Sequence, residues 1–444
     1  MRYVNKKVIS FIMVGCMFIL STLFYFDIPN HNYKNSKVLA ATGKKVVLTV
    51  LTDNTIDLEA FKAVAAAFEK KYNIRVEIEL RPGGTEGPNI VKTRLAAGEM
   101  DDLSISLPGS IFLSFNPSKY FVDLTKETYM KNIEEKFKKA VSVNGRVYGV
   151  PVGPAWAGVW LYNKKVANQL KLSVPKTWNE LLANCSKIKA AGKVPIIASY
   201  RDAWTAQLIW LIDYYWLEKR VPDFAEKFTA NKIKFANTPA AVRGFEKLQE
   251  IYKKGYLNKD FLATSYDTAL KMLATGEGVY YPMLTMALTA IEANFPDKIN
   301  DIGAFPQPDN NPSQNGITVW LPKTMAIYKF SKNIEAAKKF VAFFVSAEGL
   351  KAWLTKGKVM GPFMIKNIKI PQNTYIYPAV RDILPYYEKG KFTLALEFLS
   401  PLKGPNAPQI CVEVASGMRT PVDGAKLYDK DVEKQAKQLN LPGW

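Results

Sequence analysis

The stretch over residues 144–163, NGRVYGVPVGPAWAGVWLYN, constrains this chain more than any other. Apolar residues alternate there with Gly and Pro, and Tyr148, Trp156, Trp160 and Tyr162 place four aromatics within it. Two short strand-like runs, 146–150 and 159–162, flank a bend containing Pro151, Gly153, Pro154 and Gly158. Gly and Pro fix backbone direction where a regular element breaks. A strand that leaves one sheet and enters another needs such a bend, and aromatics beside it would sit in the crevice between two lobes. The same residues also fit a buried core strand whose rings pack like any others.

A chain of 444 residues exceeds what one hydrophobic core usually organises, so two or more domains are expected. The hydrophobic share of 48% and aromatic share of 12% are those of a packed globular protein and do not suggest disorder.

The N-terminus reads as a targeting segment. Arg2, Lys6 and Lys7 precede an almost uninterrupted apolar run over 8–26. A polar spacer then leads to Val38-Leu39-Ala40, small residues of the kind signal peptidase prefers, so cleavage after Ala40 is expected. Two rivals stay open. Gly15-Cys16 faintly resembles a lipoprotein cleavage site, and the run is long enough to stay as an uncleaved anchor, since about 20 apolar residues span a bilayer. All three place the rest of the chain outside the cytoplasm.

The formal net charge is +20, and removing residues 1–40, which carry a net +4, leaves +16. Such a balance suits nucleic acid, an anionic surface or an acidic ligand. The lysines are spread along helices rather than gathered in a patch, and export makes nucleic acid an unsuitable partner, so a solvated basic surface is expected.

The histidine count excludes more. His31, the single histidine, lies in the segment expected to be removed. The mature chain then lacks an imidazole for a Ser-His or Cys-His dyad or a His-ligated metal, and no metal or cofactor is expected. Of the two cysteines beyond residue 40, Cys185 shares an apolar helical face with Trp178, Leu181, Leu182 and Ile188 and reads as a buried thiol. Its pairing with Cys411 stays open.

In chain order, a strand is expected over 46–52, a helix with Leu58, Phe61, Ala65 and Phe68 on one face, and a strand over 75–80. This β-α-β unit implies a parallel sheet covered by helices. The loop containing Asp53 and Asn54 follows the first strand at its carboxyl end, where open α/β sheets bind ligands. Asp and Asn suit hydroxyl recognition, although Asn54 or Thr55 also fits a helix cap. A short helix over 90–97 ends at Gly98. The strand over 103–107 stops at Pro108-Gly109-Ser110, a second such loop. Thr177-Trp178-Asn179-Glu180 forms a capping box for a helix ending at Gly192. A strand over 194–198 runs into Ser199-Tyr200-Arg201-Asp202-Ala203-Trp204, and a helix rich in aromatics follows through Trp210, Tyr214, Tyr215 and Trp216. Most of those rings belong to a core; Trp204, at the junction beside Arg201 and Asp202, is the one assigned to the crevice. Helices over 240–253 and 268–274 and a strand over 278–281 come next, with Pro282-Met283 as a third candidate loop. Residues 317–321, containing Trp320, read as a second crossover strand.

At this point the chain resembles the extracellular solute-binding proteins of bacterial ABC importers, in the group that includes maltose- and glycerol-phosphate-binding proteins. The matching pieces are residues 61–72 (FKAVAAAFEKKY), Leu95-Ala96-Ala97-Gly98 leading into Asp101-Asp102, and residues 145–164 with the run LYNK. Further pieces are residues 175–181 (PKTWNEL), 274–278 (ATGEG), 333–354 (NIEAAKKFVAFFVSAEGLKAWL) and 415–417. Their order and spacing together carry the likeness.

The resemblance implies a two-lobed α/β periplasmic-binding-protein-like fold with three interlobe crossing segments. The first lobe would comprise 41–153 with 319–357, the second 154–318 with 358–444, with Pro154 and Trp320 at the hinge. Ligand contacts would come from Asp53, Asn54, Gly109, Ser110, Trp156, Arg201, Asp202, Trp204, Tyr281, Met283, Gly361 and Asn406. Where relatives often place a Trp after Gly or Gly-Pro, this chain has Tyr281-Pro282-Met283, so Tyr281 or another aromatic would supply that ring. The implied partners are an oligosaccharide and the permease subunits of an ABC importer, met by a monomer on the outer face of the membrane.

A pyranose has an apolar face on which an indole stacks and a hydroxyl rim that Asp, Asn, Arg and backbone amides satisfy. Two other classes compete. A secreted glycoside hydrolase would need two carboxylates about 5 to 10 Å apart across a sugar bond, and nothing marks such a pair. A binding protein for a peptide or an acidic sugar would use the basic balance and Arg201. Neutral oligosaccharide ranks first, acidic oligosaccharide second and peptide third.

Overall fold

The computed structural model describes residues 46–84, 86–366, 370–371 and 373–444. The signal segment expected over 1–40 lies outside the described residues. Among the described residues no helix is long and apolar enough to cross a membrane.

The chain begins with strands β1 (Val47–Asp53), β2 (Arg75–Arg81) and β3 (Leu103–Ser106). A hairpin of β4 (Ser142–Val143) and β5 (Arg146–Val147) precedes β6 (Val150–Val152). Beyond the bend come β7 (Trp156–Asn163), β8 (Val194–Ile196), β9 (Gly278–Leu284), β10 (Ile302–Phe305) and β11 (Ile317–Trp320). The last two are β12 (Lys323–Ile327) and β13 (Phe392–Leu394).

These strands build two main sheets, one per lobe. The first has the order β2-β1-β3-β12-β6, the second β13-β11-β7-β9-β8 with β10 paired to β7. The expected β-α-β unit is present: β1 is parallel to β2 and to β3. Its helix, Leu58–Tyr72, starts where the Asp57 side chain accepts the Ala60 N–H and stops at Asn73 in a left-handed turn. Phe61 and Phe68 on its buried face meet Phe340 of the helix Ile334–Phe344 at ring distances of 5.9 and 5.0 Å. Apolar periodicity thus brings residues far apart in sequence onto one sheet.

The chain crosses between sheets first through Gly153-Pro154-Ala155 and again through Leu321-Pro322, just beyond the expected division at 318/319. The two crossings run side by side: Val152 pairs with Lys323 in one sheet, and Trp156 with Trp320 in the other. A third passage touches the first, with the Ala155 N–H donating to the Pro362 carbonyl at 2.8 Å and Pro154 bridging Phe363. Pro154 and Trp320 therefore both stand at points where the chain changes sheets.

Three sequence expectations change here. The run over 146–150 is two elements: β5 folds back on β4 across the Asn144-Gly145 turn (φ 51° and 74°), whereas β6 joins the first main sheet beside β12. Pro282-Met283 is no loop: β9 continues to Leu284 with every residue buried. The aromatic helix is two short ones, Leu208–Ile212 and Tyr214–Arg220, whose rings pack in the core of the second lobe. Cys185 and Cys411 are both buried free thiols, and burial pushes both up from the ordinary thiol range.

Gly153 carries the first crossing at φ 78°, and a Cβ there would stand 2.8 Å from the Trp353 ring. Gly153→Ala is expected to lower unfolding free energy by about 1–3 kcal/mol, read as a lower urea midpoint with an unchanged m value.

Candidate functional site

A cleft of about 620 Å³ opens between the two sheets. Its floor is a buried ionic cluster at the carboxyl ends of β1 and β2 and the start of β12. Asp53 Oδ1 accepts from the Thr55 hydroxyl at 2.5 Å, from the Thr55 amide at 2.9 Å and from the Lys323 ammonium. Lys323 also donates to Thr55 Oγ1 at 2.8 Å. Arg81 Nη2 stands 3.6 Å from Asp53 Oδ2 and donates to the Ile105 carbonyl at 3.4 Å.

Asp53, Arg81 and Lys323 are 6, 7 and 2% exposed. Burial by itself pushes the Asp53 carboxyl up, but the Lys323 charge and hydrogen bond, Thr55 and Arg81 outweigh it and hold it below the usual aspartate range. Burial lowers the Lys323 ammonium from its ordinary value against the pull of Asp53. The single carboxylate of Asp53 is answered by two cations, which offsets the cost of burying it.

One wall is aromatic. Trp156 and Trp320 are direct partners across the β7–β11 ladder, so their side chains share one face. Trp204 leans on Tyr266 at 5.4 Å between ring centroids. A side chain on Gly84 of the opposite lobe would meet Trp204 at 3.4 Å, so that loop sits against the indole. Three of the residues lining the cleft carry a buried polar atom without a hydrogen-bond partner in the protein: Ser110 Oγ, Gln207 Oε1 and Arg81 Nε. Orphans of this kind cost free energy unless a ligand or water satisfies them. Among the described residues no group of three or more His, Cys, Asp and Glu could hold a metal ion.

The structure brings Asp53, Ser110, Trp156, Trp204 and Asn406 onto the cleft wall, together with Trp320, assigned to the hinge. Asn406 is partly engaged elsewhere, its amide donating to Asp431 at 2.7 Å. The remaining sequence candidates are placed off that wall. Asn54 turns its side-chain oxygen to the Gly83 N–H at 3.1 Å. Gly109 lies behind the cleft, against the Glu397 carbonyl. Arg201 is exposed outside the cleft lining, and Asp202 accepts the Tyr266 N–H at 2.7 Å. Tyr281 and Met283 are buried within β9, and the Tyr281 hydroxyl pairs with Ser199 Oγ at 2.7 Å. Gly361 packs on the Ala155 carbonyl. For Tyr281 and Met283 the reason is that β9 is a central strand covered on both faces. Leu284 and Met286, further along, reach the cleft instead.

Arg81, Gln207, Lys323, Glu397 and Lys403 also line the cleft and escaped the sequence reading. A charge opening a buried strand (Lys323) is a usable signal. Gln207 and Glu397 lie in otherwise apolar runs with nothing to single them out.

The family model for bacterial extracellular solute-binding protein matches residues 52–351. The chain belongs to that family. Among relatives of this solute-binding protein is the multiple sugar-binding protein of Streptococcus mutans, 24% identical over 356 residues, covering 78% of this chain and 81% of the relative. Another is the melibiose/raffinose/stachyose-binding protein MelE of Bacillus subtilis, 22% identical over 372 residues, covering 80% and 83%. Among solved structures, a chitin oligosaccharide binding protein superposes with TM-score 0.75 at 19% identity, covering 88% of this chain and 100% of that one. RafE in complex with raffinose superposes with TM-score 0.72 at 22% identity, covering 87% and 100%. The two-lobed fold of this solute-binding protein is thus that of its structural neighbours.

Asp53→Asn leaves Lys323 and Arg81 facing no buried anion and is expected to cost roughly 3–5 kcal/mol, measured by chemical unfolding at neutral pH. Since the folded Asp53 carboxyl is held low, its stabilisation is complete above the unfolded value of about 3.9 and is lost as pH falls through the folded one. An acid titration of melting temperature should therefore fall less steeply in Asp53→Asn than in the wild type at pH below about 4.

Proposed function

We propose that this chain captures a neutral oligosaccharide between its lobes and delivers it unaltered to the permease of an ABC importer at the outer face of the membrane. The observation that carries this reading is the cleft itself, with indoles of Trp156, Trp204 and Trp320 beside unpartnered polar atoms of Ser110, Gln207 and Arg81. Rings stack on the apolar face of a pyranose, and the orphaned groups meet its hydroxyls. The names of relatives that bind multiple sugars, or melibiose, raffinose and stachyose, support the same ligand class. A cleft of about 620 Å³ falls within the range of roughly 300–1,000 Å³ that encloses small ligands.

Neutrality rests on the sugars named for the relatives and on Arg201, the expected partner of a carboxylate, lying off the cleft wall. Lys403 Nζ donates to Glu397 at 2.7 Å, while Arg81 and Lys323 share the single carboxylate of Asp53. Binding is favoured over hydrolysis because a glycosidase acid needs a raised pKa, whereas Asp53 is lowered. The protein acts as a monomer with no cofactor and no nucleic acid partner, exported by its N-terminal segment. Closure is a population shift, so the ligand must touch both lobes to drive it; Arg81 and Ser110 on one side and Trp204 and Gln207 on the other supply those contacts.

A thermal-shift panel of raffinose, stachyose, melibiose and chitin oligosaccharides tests this reading. A binder at a hundredfold excess over its Kd adds about 2.7 kcal/mol of stability. Uronate-bearing oligosaccharides are expected to give smaller shifts, and chromatography after prolonged incubation should recover the sugar intact. Trp204→Ala, on a partly exposed ring, is expected to weaken binding about tenfold in calorimetry. A panel in which only acidic sugars shift the melting temperature would overturn neutrality.

A further inference from the structure

Trp320 ends β11 opposite Trp156, and two contacts fix its ring. The benzo edge lies over the β7 backbone at Gly158, where an added Cβ would stand 2.6 Å from Trp320 Cζ3. At the other edge the indole N–H donates to Glu397 Oε1 at 2.8 Å. Glu397 is 2% exposed, and its second oxygen accepts Lys403 Nζ at 2.7 Å. A carboxylate so deeply buried is tolerated only because charged and donor partners answer it. Glu397 also reaches the other lobe: a Cβ on Gly109 would stand 2.1 Å from its carbonyl oxygen. One residue thus grips an indole of the cleft wall through its side chain and abuts the opposing lobe through its backbone.

We infer that Glu397 is a positioning residue for ligand capture, holding the Trp320 indole in the plane that meets the sugar face. The inference rests on the carbohydrate reading above for its ligand, but the ring alignment has a readout of its own. Without the carboxylate the ring keeps its Gly158 contact and loses the hydrogen bond that fixes its N–H edge. Lys403 is the counter-charge, and its ammonium has no acceptor to replace the carboxylate at the indole N–H.

The test compares two double variants of equal charge, Glu397→Gln with Lys403→Met and Glu397→Ala with Lys403→Met. The Gln variant retains an acceptor for the indole N–H; the Ala variant does not. In nitrogen-15 spectra the Trp320 indole resonance, assigned with Trp320→Phe, should stay near its wild-type position in the first and move in the second. Raffinose, stachyose, melibiose and chitotriose are the binding probes. Affinity for whichever of them binds the wild type should be about tenfold or more weaker in the Ala variant than in the Gln variant. Equal affinities in the two double variants, or an indole resonance that moves in neither, would overturn the inference. If none of the four sugars binds the wild type, the carbohydrate reading falls, and the resonance comparison still decides whether Glu397 aligns the ring.

Discussion

The salt bridge between Asp53 and Lys323 joins the end of the first strand to the first residue after the second crossing. Both groups are almost wholly buried, so in the folded chain neither can exchange its partner for water. Removing one would strand the other in a low-dielectric site. The pair therefore fixes where β12 enters the first sheet, and with it the register that sets Lys323 against Val152. Because β11 and β12 are separated by Leu321-Pro322, that same anchor settles where Trp320 stands on the far side of the bend. Ionic floor and aromatic wall are consecutive parts of one strand-like passage.

The organisation of the chain was largely legible from its residues. The Gly/Pro punctuation over 144–163 and the β-α-β periodicity at the start are local signals, and local signals survive into the fold. Phe61 and Phe68 read as one helical face because 3.6-residue spacing needs no knowledge of the partner helix. The failures share a cause as well. Pro282-Met283 looked like a turn, yet β9 runs through it in the middle of a sheet, where neighbouring strands override local preference.

The cleft was less legible, for a physical reason. Trp156, Trp204 and Asp53 stand at strand ends or junctions, a position that sequence can mark. Arg81, Gln207 and Glu397 gain their meaning from what approaches them across the two lobes, and tertiary proximity leaves no trace in one sequence. Arg201 and Asn54 erred in the opposite sense, polar residues in the expected loops whose side chains are exposed or turned to nearby backbone. Chemistry of the right type at the right loop is insufficient when the loop turns away.

The side-by-side pairing of the two crossings has a mechanical consequence. A two-stranded ribbon that is hydrogen-bonded on both sides of its bend resists sliding of one strand past the other, since any slip would break both ladders together. It yields easily only to flexing across its width. A spine of that kind permits one sheet to swing about the other like the covers of a book, with the cleft along the fore-edge.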